Sequence, residues 1–414
     1  MPVVRVCVLG GSSPFLPELG YALAARAADL PPIELVLSAP NAAKLELVAG
    51  FMSRASARHV GFPQVRAHTD RKAALEGADL VLNFVRVGGW ERRAYYETFP
   101  LEFGIPGDES LGPGGLANAI HTMPVIRDVI ADIEMRCPQA TVINLTNPCD
   151  IMIAAVSRLS SVRLIGVCEI GTELVERVLQ AMDARPGTRL GYAGTSHHGW
   201  CFADEGGDQA AFEQFLDRID DDTVFGFEPR LIRALRAIPA PPLRNYLHRA
   251  QEAERMARLG QPRAKELADL ATELLDYYRR ADGEASPPAL RQRRMTWHAK
   301  AVVPLLIALL GDAPVRLIVN TRNMGAVSCL PDDAIVETWA TVNRRSVRPE
   351  PCGSLPDAIR GFTCAVEAYS RVAAIAALEP SKVHVLAALL ANPMVATEDL
   401  AEKLLPLVMS DSLA

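Results

Sequence analysis

Val3-Val4-Arg5-Val6-Cys7-Val8-Leu9, followed at once by Gly10-Gly11-Ser12-Ser13-Pro14-Phe15-Leu16-Pro17, decides the fold. A β-branched strand runs into a glycine turn, and Pro17 helps to start a helix. Glycines in such a turn let the backbone approach a pyrophosphate, whose charge the helix N-terminus favours. Gly10, Gly11, Ser12 and Ser13 are therefore candidate dinucleotide contacts, with Ser12 standing where the usual fingerprint has its third glycine. Gly-Gly-Ser turns also occur in sheets that bind no nucleotide, so the turn needs support from the rest of the chain.

Outward from that turn, short β-branched runs recur at Ile33 to Leu37, Leu80 to Val85, Thr141 to Leu145 and Arg163 to Val167. The stretches Pro17 to Ala27, Ala42 to Ser53 and Met123 to Met135 show helical spacing between them. This alternation is the rhythm of a doubly wound parallel sheet, so residues 1–170 are expected to form a Rossmann-like α/β domain. Residues 171–414 read as a mixed α+β domain for substrate, metal and oligomerisation, giving a lactate/malate dehydrogenase-like architecture. Its expected elements are strands at Leu190 to Ala193 and Val315 to Val319, long polar helices from Asp208 to Arg280, and helices at Pro356 to Leu378, Ser381 to Ala391 and Thr397 to Met409. The Gly-, Pro- and charge-rich stretch Ala281 to Arg294 reads as a mobile loop.

The whole chain, 414 residues at 49% hydrophobic and 22% charged with a formal charge of -6, has the composition of a soluble globular protein. It has no basic stripe, which argues against nucleic acid and anionic membranes and for a small-molecule ligand. Val302 to Leu310 is too short to span a bilayer, and the strand-like start lacks the pattern of a signal peptide, so a cytoplasmic location without membrane insertion is expected. None of the eight cysteines forms a Cys-x-x-Cys pair, and reduced thiols are expected.

One cysteine stands apart. Cys168, in Val167-Cys168-Glu169, falls where a strand should end at the carboxyl edge of the sheet, where open α/β folds bind ligands. Ser196-His197-His198-Gly199-Trp200 follows about one helix and one strand later and offers imidazole beside thiolate. With Glu169 and Asn147 nearby in the expected fold, the pair suits a divalent ion with open positions. His198 could equally be the ligand, and a lone cysteine is more often a small buried hydrophobe.

The motifs, taken in order, resemble glycoside hydrolase family 4, nearly end to end. The glycine-rich opening is followed by Gly77-Ala78-Asp79-Leu80-Val81-Leu82-Asn83-Phe84-Val85-Arg86-Val87-Gly88-Gly89 and by the most specific piece, Gly104-Ile105-Pro106-Gly107-Asp108-Glu109-Ser110-Leu111-Gly112-Pro113-Gly114-Gly115. Asn144-Leu145-Thr146-Asn147-Pro148, Cys168, His197, Asn323-Met324-Gly325 and Leu389-Leu390-Ala391-Asn392-Pro393-Met394 complete the series.

The resemblance implies NAD- and metal-dependent glycoside hydrolysis. NAD oxidises the sugar at C3, a base removes the acidified C2 proton, the C1 group is eliminated, water adds and the hydride returns. It further implies Cys168 and His197 as ligands of a divalent metal, with Mn²⁺ the expected ion. Tyr246, in Pro242-Leu243-Arg244-Asn245-Tyr246-Leu247-His248, is the implied base, with His248 as fallback. Glu169 stands where the family varies with substrate and is the candidate general acid. Arg93, Glu109, Asn147 and His198 are candidate sugar contacts, with Arg294 a weaker one, and a 6-phosphorylated or acidic sugar is the expected substrate. A homodimer or homotetramer is expected.

The departures lie on the cofactor side. The second strand ends Val36-Leu37-Ser38-Ala39-Pro40-Asn41, without the acid that binds ribose hydroxyls, and Lys44 lies a turn into the next helix. That loss would admit a 2′-phosphate, although no arginine follows at once. Two rival readings remain: a non-catalytic sugar- or nucleotide-binding homologue, and a 2-hydroxyacid dehydrogenase using His197 or His198. The latter lacks an orienting Asp, since Val175 occupies its expected place, and gives Cys168 no role.

Overall fold

A computed structural model of the chain describes residues 2–203, 206–219, 225–283, 285–293 and 297–410. Its first six strands are β1 (Val4–Leu9), β2 (Ile33–Ser38), β3 (Gln64–His68), β4 (Leu80–Asn83), β5 (Thr141–Asn144) and β6 (Leu164–Gly166). They are parallel in the order β3-β2-β1-β4-β5-β6, the dinucleotide-binding order. Sequence patterning missed β3, because Gln64-Val65-Arg66-Ala67-His68 is a mostly exposed edge strand without an apolar face. The crossovers are α1 (Pro17–Ala25), α2 (Ala42–Arg58), α3 (Arg71–Leu75), α4 (Gly89–Thr98), α5 (Gly112–Arg136) and α6 (Cys149–Leu159), and α7 (Glu169–Ala181) follows β6.

The sheet does not stop at the expected seam near residue 170. It continues through β7 (Leu190–Gly194), β8 (Trp200–Ala203), β9 (Ile238–Pro239), β10 (Val315–Arg322) and β11 (Ile335–Val342) in the order β6-β10-β11-β7-β8-β9, with β12 (Val347–Pro349) beside β11. Backbone pairing puts Gly166, Asn320, Glu337 and Gly194 in one row across four strands. Cys168 lies two residues beyond one end of that row and His197 three beyond the other.

The expected long polar helices resolve into α8 (Gln209–Arg218), α9 (Pro229–Leu235), α10 (Arg244–Leu247), α11 (Arg249–Leu259) and α12 (Arg263–Arg280). Helix α12 is amphipathic and buries Leu267, Leu270, Leu274 and Tyr278. Each such side chain contributes about 1.5–3 kcal/mol on leaving water. Tyr278 stacks on Phe51 of α2 at 4.4 Å and donates to the carbonyl of Pro14 at 2.6 Å, which ties α12 to the glycine turn. In the expected mobile loop, Arg54 of α2 and His59 just after it reach the carbonyls of Ala281 and Gly283, while Arg294 lies outside the described residues.

A π-turn at His298–Val302 leads into α13 (Val303–Leu310), which packs under the first sheet face. The last helices, α14 (Asp357–Leu378), α15 (Lys382–Ala391) and α16 (Glu398–Val408), share a core with α5 and α6 on the other face. Helix α14 is long and apolar enough to cross a membrane, yet half of its apolar window is buried in that core.

Candidate functional site

A cleft of about 790 Å³ opens over the glycine turn. Gly10, Ser12 and Ser13 line it from the turn, Phe84 to Arg86 and Leu145 to Asn147 from the ends of β4 and β5, Lys44 from α2, Thr272 and Arg279 from α12, and His298 from the π-turn. The turn is held by Ser38, whose carbonyl accepts from Gly10 and Gly11 N–H at 3.0 and 2.9 Å. A Cβ on Gly11 would lie 2.7 Å from Ser38 N, so the close approach of the turn to β2 needs glycine. Backbone exposed in the turn, serine hydroxyls and the following start of α1 suit a pyrophosphate.

At the inner end of the cleft, Glu109 is clamped by two arginines. Arg86 pairs with it through both guanidinium nitrogens, and Arg93 reaches it at 2.8 Å while also bonding Glu97 at 2.7 Å. Burial alone would raise the Glu109 carboxyl, but Arg86 first, then Arg93, with hydrogen bonds from Arg86 and Asn147, hold it down at about 2. Asn118 donates to the backbone carbonyls of Glu109 and Asn147 at 2.8 and 3.0 Å, locking the two loops together. Gly114 makes this possible, because a Cβ there would sit 2.3 Å from the Tyr96 carbonyl of α4. The sequence offered Arg93 as a sugar contact; Arg93 faces Glu109, and its neighbour Arg92 is also largely buried, folding back over Gly88.

Beyond Glu109 lies a separate buried polar cluster. His197 adopts a left-handed backbone at φ 66°, a strained conformation for a histidine. Burial pushes its imidazole down, against the opposing charges of Asp150 and Glu109. Asp150, in the first turn of α6, is held at 2.6 Å by the hydroxyl of Ser370 on α14. The Cys168 thiol, at the N-cap of α7, is pushed up by burial and by the nearby charges of Glu337, Glu169 and Cys149. His197 and Cys168 thus face the consecutive residues Asp150 and Cys149. Glu337, fully buried in β11, accepts from Tyr192 at 2.7 Å and Asn320 at 3.1 Å, and burial raises its carboxyl to about 7. No lysine or arginine among the described residues pairs with Asp150 or Glu337.

His198 and Tyr246 form the third part. His198 Nδ1 faces the Ser196 carbonyl at 2.9 Å, and a carbonyl can only accept, so Nδ1 carries the proton and Nε2 accepts from the Tyr246 hydroxyl at 2.8 Å. The Gly112 N–H at the start of α5 donates to the same phenol oxygen. Burial drives the Tyr246 hydroxyl well up and the His198 imidazole down to about 3, so the proton rests on tyrosine.

The structure therefore brings Glu109 and Asn147 together with Arg93, sets His197 and Tyr246 near Asp150, and bonds His198 to Tyr246. Cys168, Glu169, His197 and Tyr246 do not line the open cleft. Glu169 is buried at the first position of α7. Asp150, Glu337, Asn320 and the His298–Glu18 pair, 3.0 Å apart, escaped sequence reasoning. Asp150 directly follows a quoted motif and Glu337 interrupts an apolar strand, signals that could have flagged both. Among the described residues, no group of three or more His, Cys, Asp or Glu side chains is arranged to hold a metal by itself.

Two family models match in tandem: family 4 glycosyl hydrolase over residues 5–184, and the family 4 glycosyl hydrolase C-terminal domain over residues 192–395. The 6-phospho-beta-glucosidase of Escherichia coli is 28% identical, the alignment covering 97% of this chain and 93% of that protein. A solved structure of the 6-phospho-beta-glucosidase from Thermotoga maritima, with manganese, NAD⁺ and glucose-6-phosphate, superposes with a TM-score of 0.85 at 27% identity, covering 98% of this chain and 97% of that one. Lactate dehydrogenase from Eimeria maxima matches at a TM-score of 0.54 and 14% identity over 92% of this chain and 97% of that one, a likeness of fold alone.

Proposed function

The chain belongs to the family 4 glycosyl hydrolases, and from that premise we propose that it cleaves a 6-phosphorylated glycoside by oxidation at C3, proton removal at C2 and elimination at C1. It is a glycosidase that works with NAD and a divalent metal. The cofactors supply reversible removal of hydride from C3 and positive charge beside the C2 and C3 oxygens; everything else falls to the protein.

The turn Gly10 to Ser13 and the segments that follow β4 and β5 hold the nucleotide in the cleft. The sugar lies at the inner end, against Glu109 and Asn147, the junction between cleft and buried cluster. The observation that carries this reading is the charge of that cluster. Asp150 and Glu337 are buried carboxyls with raised pKa values and no basic partner among the described residues, beside a raised thiol and a depressed imidazole. Such a site lacks positive charge, and a divalent ion at Cys168 and His197 supplies it while favouring thiolate. Tyr246 is the base at C2, and its own proton leaves toward Nε2 of His198, the acceptor already bonded to it. Glu169, next to the thiol, is the general acid for the departing group.

For the finer assignment, a 6-phosphate, the support is the relatives' substrates and the half-exposed guanidinium of Arg86, which reaches the cleft over the ring of Trp90 at 5.0 Å. The test is hydrolysis of p-nitrophenyl 6-phospho-glucosides in D₂O, with and without NAD⁺ and Mn²⁺. Cofactor-dependent cleavage with deuterium incorporated at C2 of the product is expected. Cleavage that leaves C2 fully protiated would overturn the elimination route, and faster cleavage of the unphosphorylated glucoside would overturn the 6-phosphate.

A further inference from the structure

We infer that the adenosine end of the cleft is built to accept a 2′-phosphate, so that NADP⁺ binds at least as tightly as NAD⁺, with Lys44 and Arg279 as the phosphate partners. The inference rests on the nucleotide reading of the cleft and concerns which nucleotide enters it.

In a sheet of this order, the adenosine ribose lies at the end of β2, where an acidic side chain bonds the two free hydroxyls and repels a phosphate. Here β2 ends at Ser38, followed by Ala39, Pro40 and Asn41. Ser38 and Ala39 are both buried, and Asn41 is engaged as the cap of α2, its side chain accepting from Lys44 N–H at 3.0 Å. No residue of this segment can serve as the ribose acid.

Positive charge stands in its place. Lys44 lines the cleft together with Ser12 and Ser13, is exposed, and has no ion-pair partner among the described residues. Helix α12 packs on α2 through the Phe51–Tyr278 stack and brings Arg279 to the same cleft from 235 positions along the chain. Among the described residues Arg279 pairs only with Asp276, one turn back on its own exposed face. Asp276 and Arg279 offset each other, which leaves Lys44 uncompensated on this wall. The other lining carboxyls belong elsewhere: Glu109 is held by Arg86 and Arg93, and Glu91 is on α4 beside Trp90. A terminal phosphate between an ammonium and a guanidinium gains charge-assisted hydrogen bonds that a ribose hydroxyl cannot match. Sequence spacing could not find this pair, because no arginine follows β2 locally.

Calorimetric titration of the whole protein with NAD⁺, NADP⁺, 5′-ADP and 2′,5′-ADP measures the preference directly, without turnover. The expected result is NADP⁺ binding equal to or tighter than NAD⁺, and 2′,5′-ADP binding roughly tenfold tighter than 5′-ADP. Lys44→Ala should remove most of that difference and leave NAD⁺ affinity within about twofold; the exposed position makes the substitution safe for folding, and Arg279→Ala gives a second, independent reading. NAD⁺ binding tenfold or more tighter than NADP⁺, or equal weakening of both nucleotides by Lys44→Ala, would overturn the inference and leave the glycosidase reading intact. Failure of all four nucleotides to bind would overturn both.

Discussion

The open cleft and the buried cluster lie on either side of Glu109, and they meet charge in opposite ways. In the cleft, ionised groups keep their charge, paired or in reach of water: Glu109 is held at about 2 by Arg86 and Arg93, Arg279 pairs with Asp276, and Lys44 stands exposed. In the cluster, desolvation wins. Cys168 and Tyr246 are pushed up, Glu337 rises to about 7, His197 is lowered and His198 falls to about 3. Every one of these shifts favours the neutral form. On the proposed function, the cleft takes the anionic nucleotide as it stands, whereas the cluster becomes reactive only with a cation in it. One fold separates the step that needs a polar groove from the step that needs a dry one.

The sharpest way to break that contrast is to remove a donor from the cluster alone. Cys168→Ser, or His197→Ala, should lower kcat/KM by roughly 10³-fold or more and abolish stabilisation by Mn²⁺, with nucleotide affinity unchanged. Retained Mn²⁺ stabilisation in a thermal melt would show that the ion sits elsewhere. Tyr246→Phe takes away the hydroxyl between Gly112 and His198 while keeping the ring, and should cost roughly 10²-fold or more in kcat with metal and nucleotide binding preserved. A loss under threefold would move the base to another residue.

Stability against pH sharpens the comparison further. Glu337 has a folded pKa of about 7, above its ordinary value near 4.5, so the folded protein keeps a proton that the unfolded chain gives up. That contribution is complete below about pH 4.5 and is lost as pH rises through 7. Glu337→Gln should flatten the decline in stability between pH 5 and 8 by about 1–3 kcal/mol, read as melting temperature against pH. Parallel curves for the two proteins would mean that Glu337 is already ionised in the fold. On the cleft side the sign reverses: Glu109, depressed to about 2, stabilises above its ordinary value and ceases to as pH falls through 2. The smallest expected effect is local. Gly11→Ala sets a methyl 2.7 Å from Leu37 Cβ and Ser38 N and should cost about 1–3 kcal/mol while weakening nucleotide binding. Unchanged affinity would separate the turn from the cofactor.

The sequence made the parallel half legible because strands such as Val4–Leu9 and Ile33–Ser38 are fully patterned and bounded by turn residues. It misread the region after Asp208 as long helices, because α8 to α12 are polar and their breaks at Gly226, Pro239 and Gly260 carry only weak local signals. The glycine turn and the motif from Gly107 to Gly115 were readable for a similar reason: backbone approaches of 2.7 Å at Gly11 and 2.3 Å at Gly114 leave no other residue a place.

By itself, then, the sequence determined the strand and helix periods, the strained turns and the residue types offered to a sugar, a nucleotide and a metal. Those properties are set by dihedral preference and local patterning, which act within a few residues. Tertiary structure alone decided which groups are paired and which are left uncompensated. Asp150 meets Ser370 across 220 positions, Glu337 meets Tyr192 across 145, and Lys44 shares a wall with Arg279. The protonation state of a buried group depends on desolvation and on neighbours that arrive from distant parts of the chain, and no local pattern encodes either.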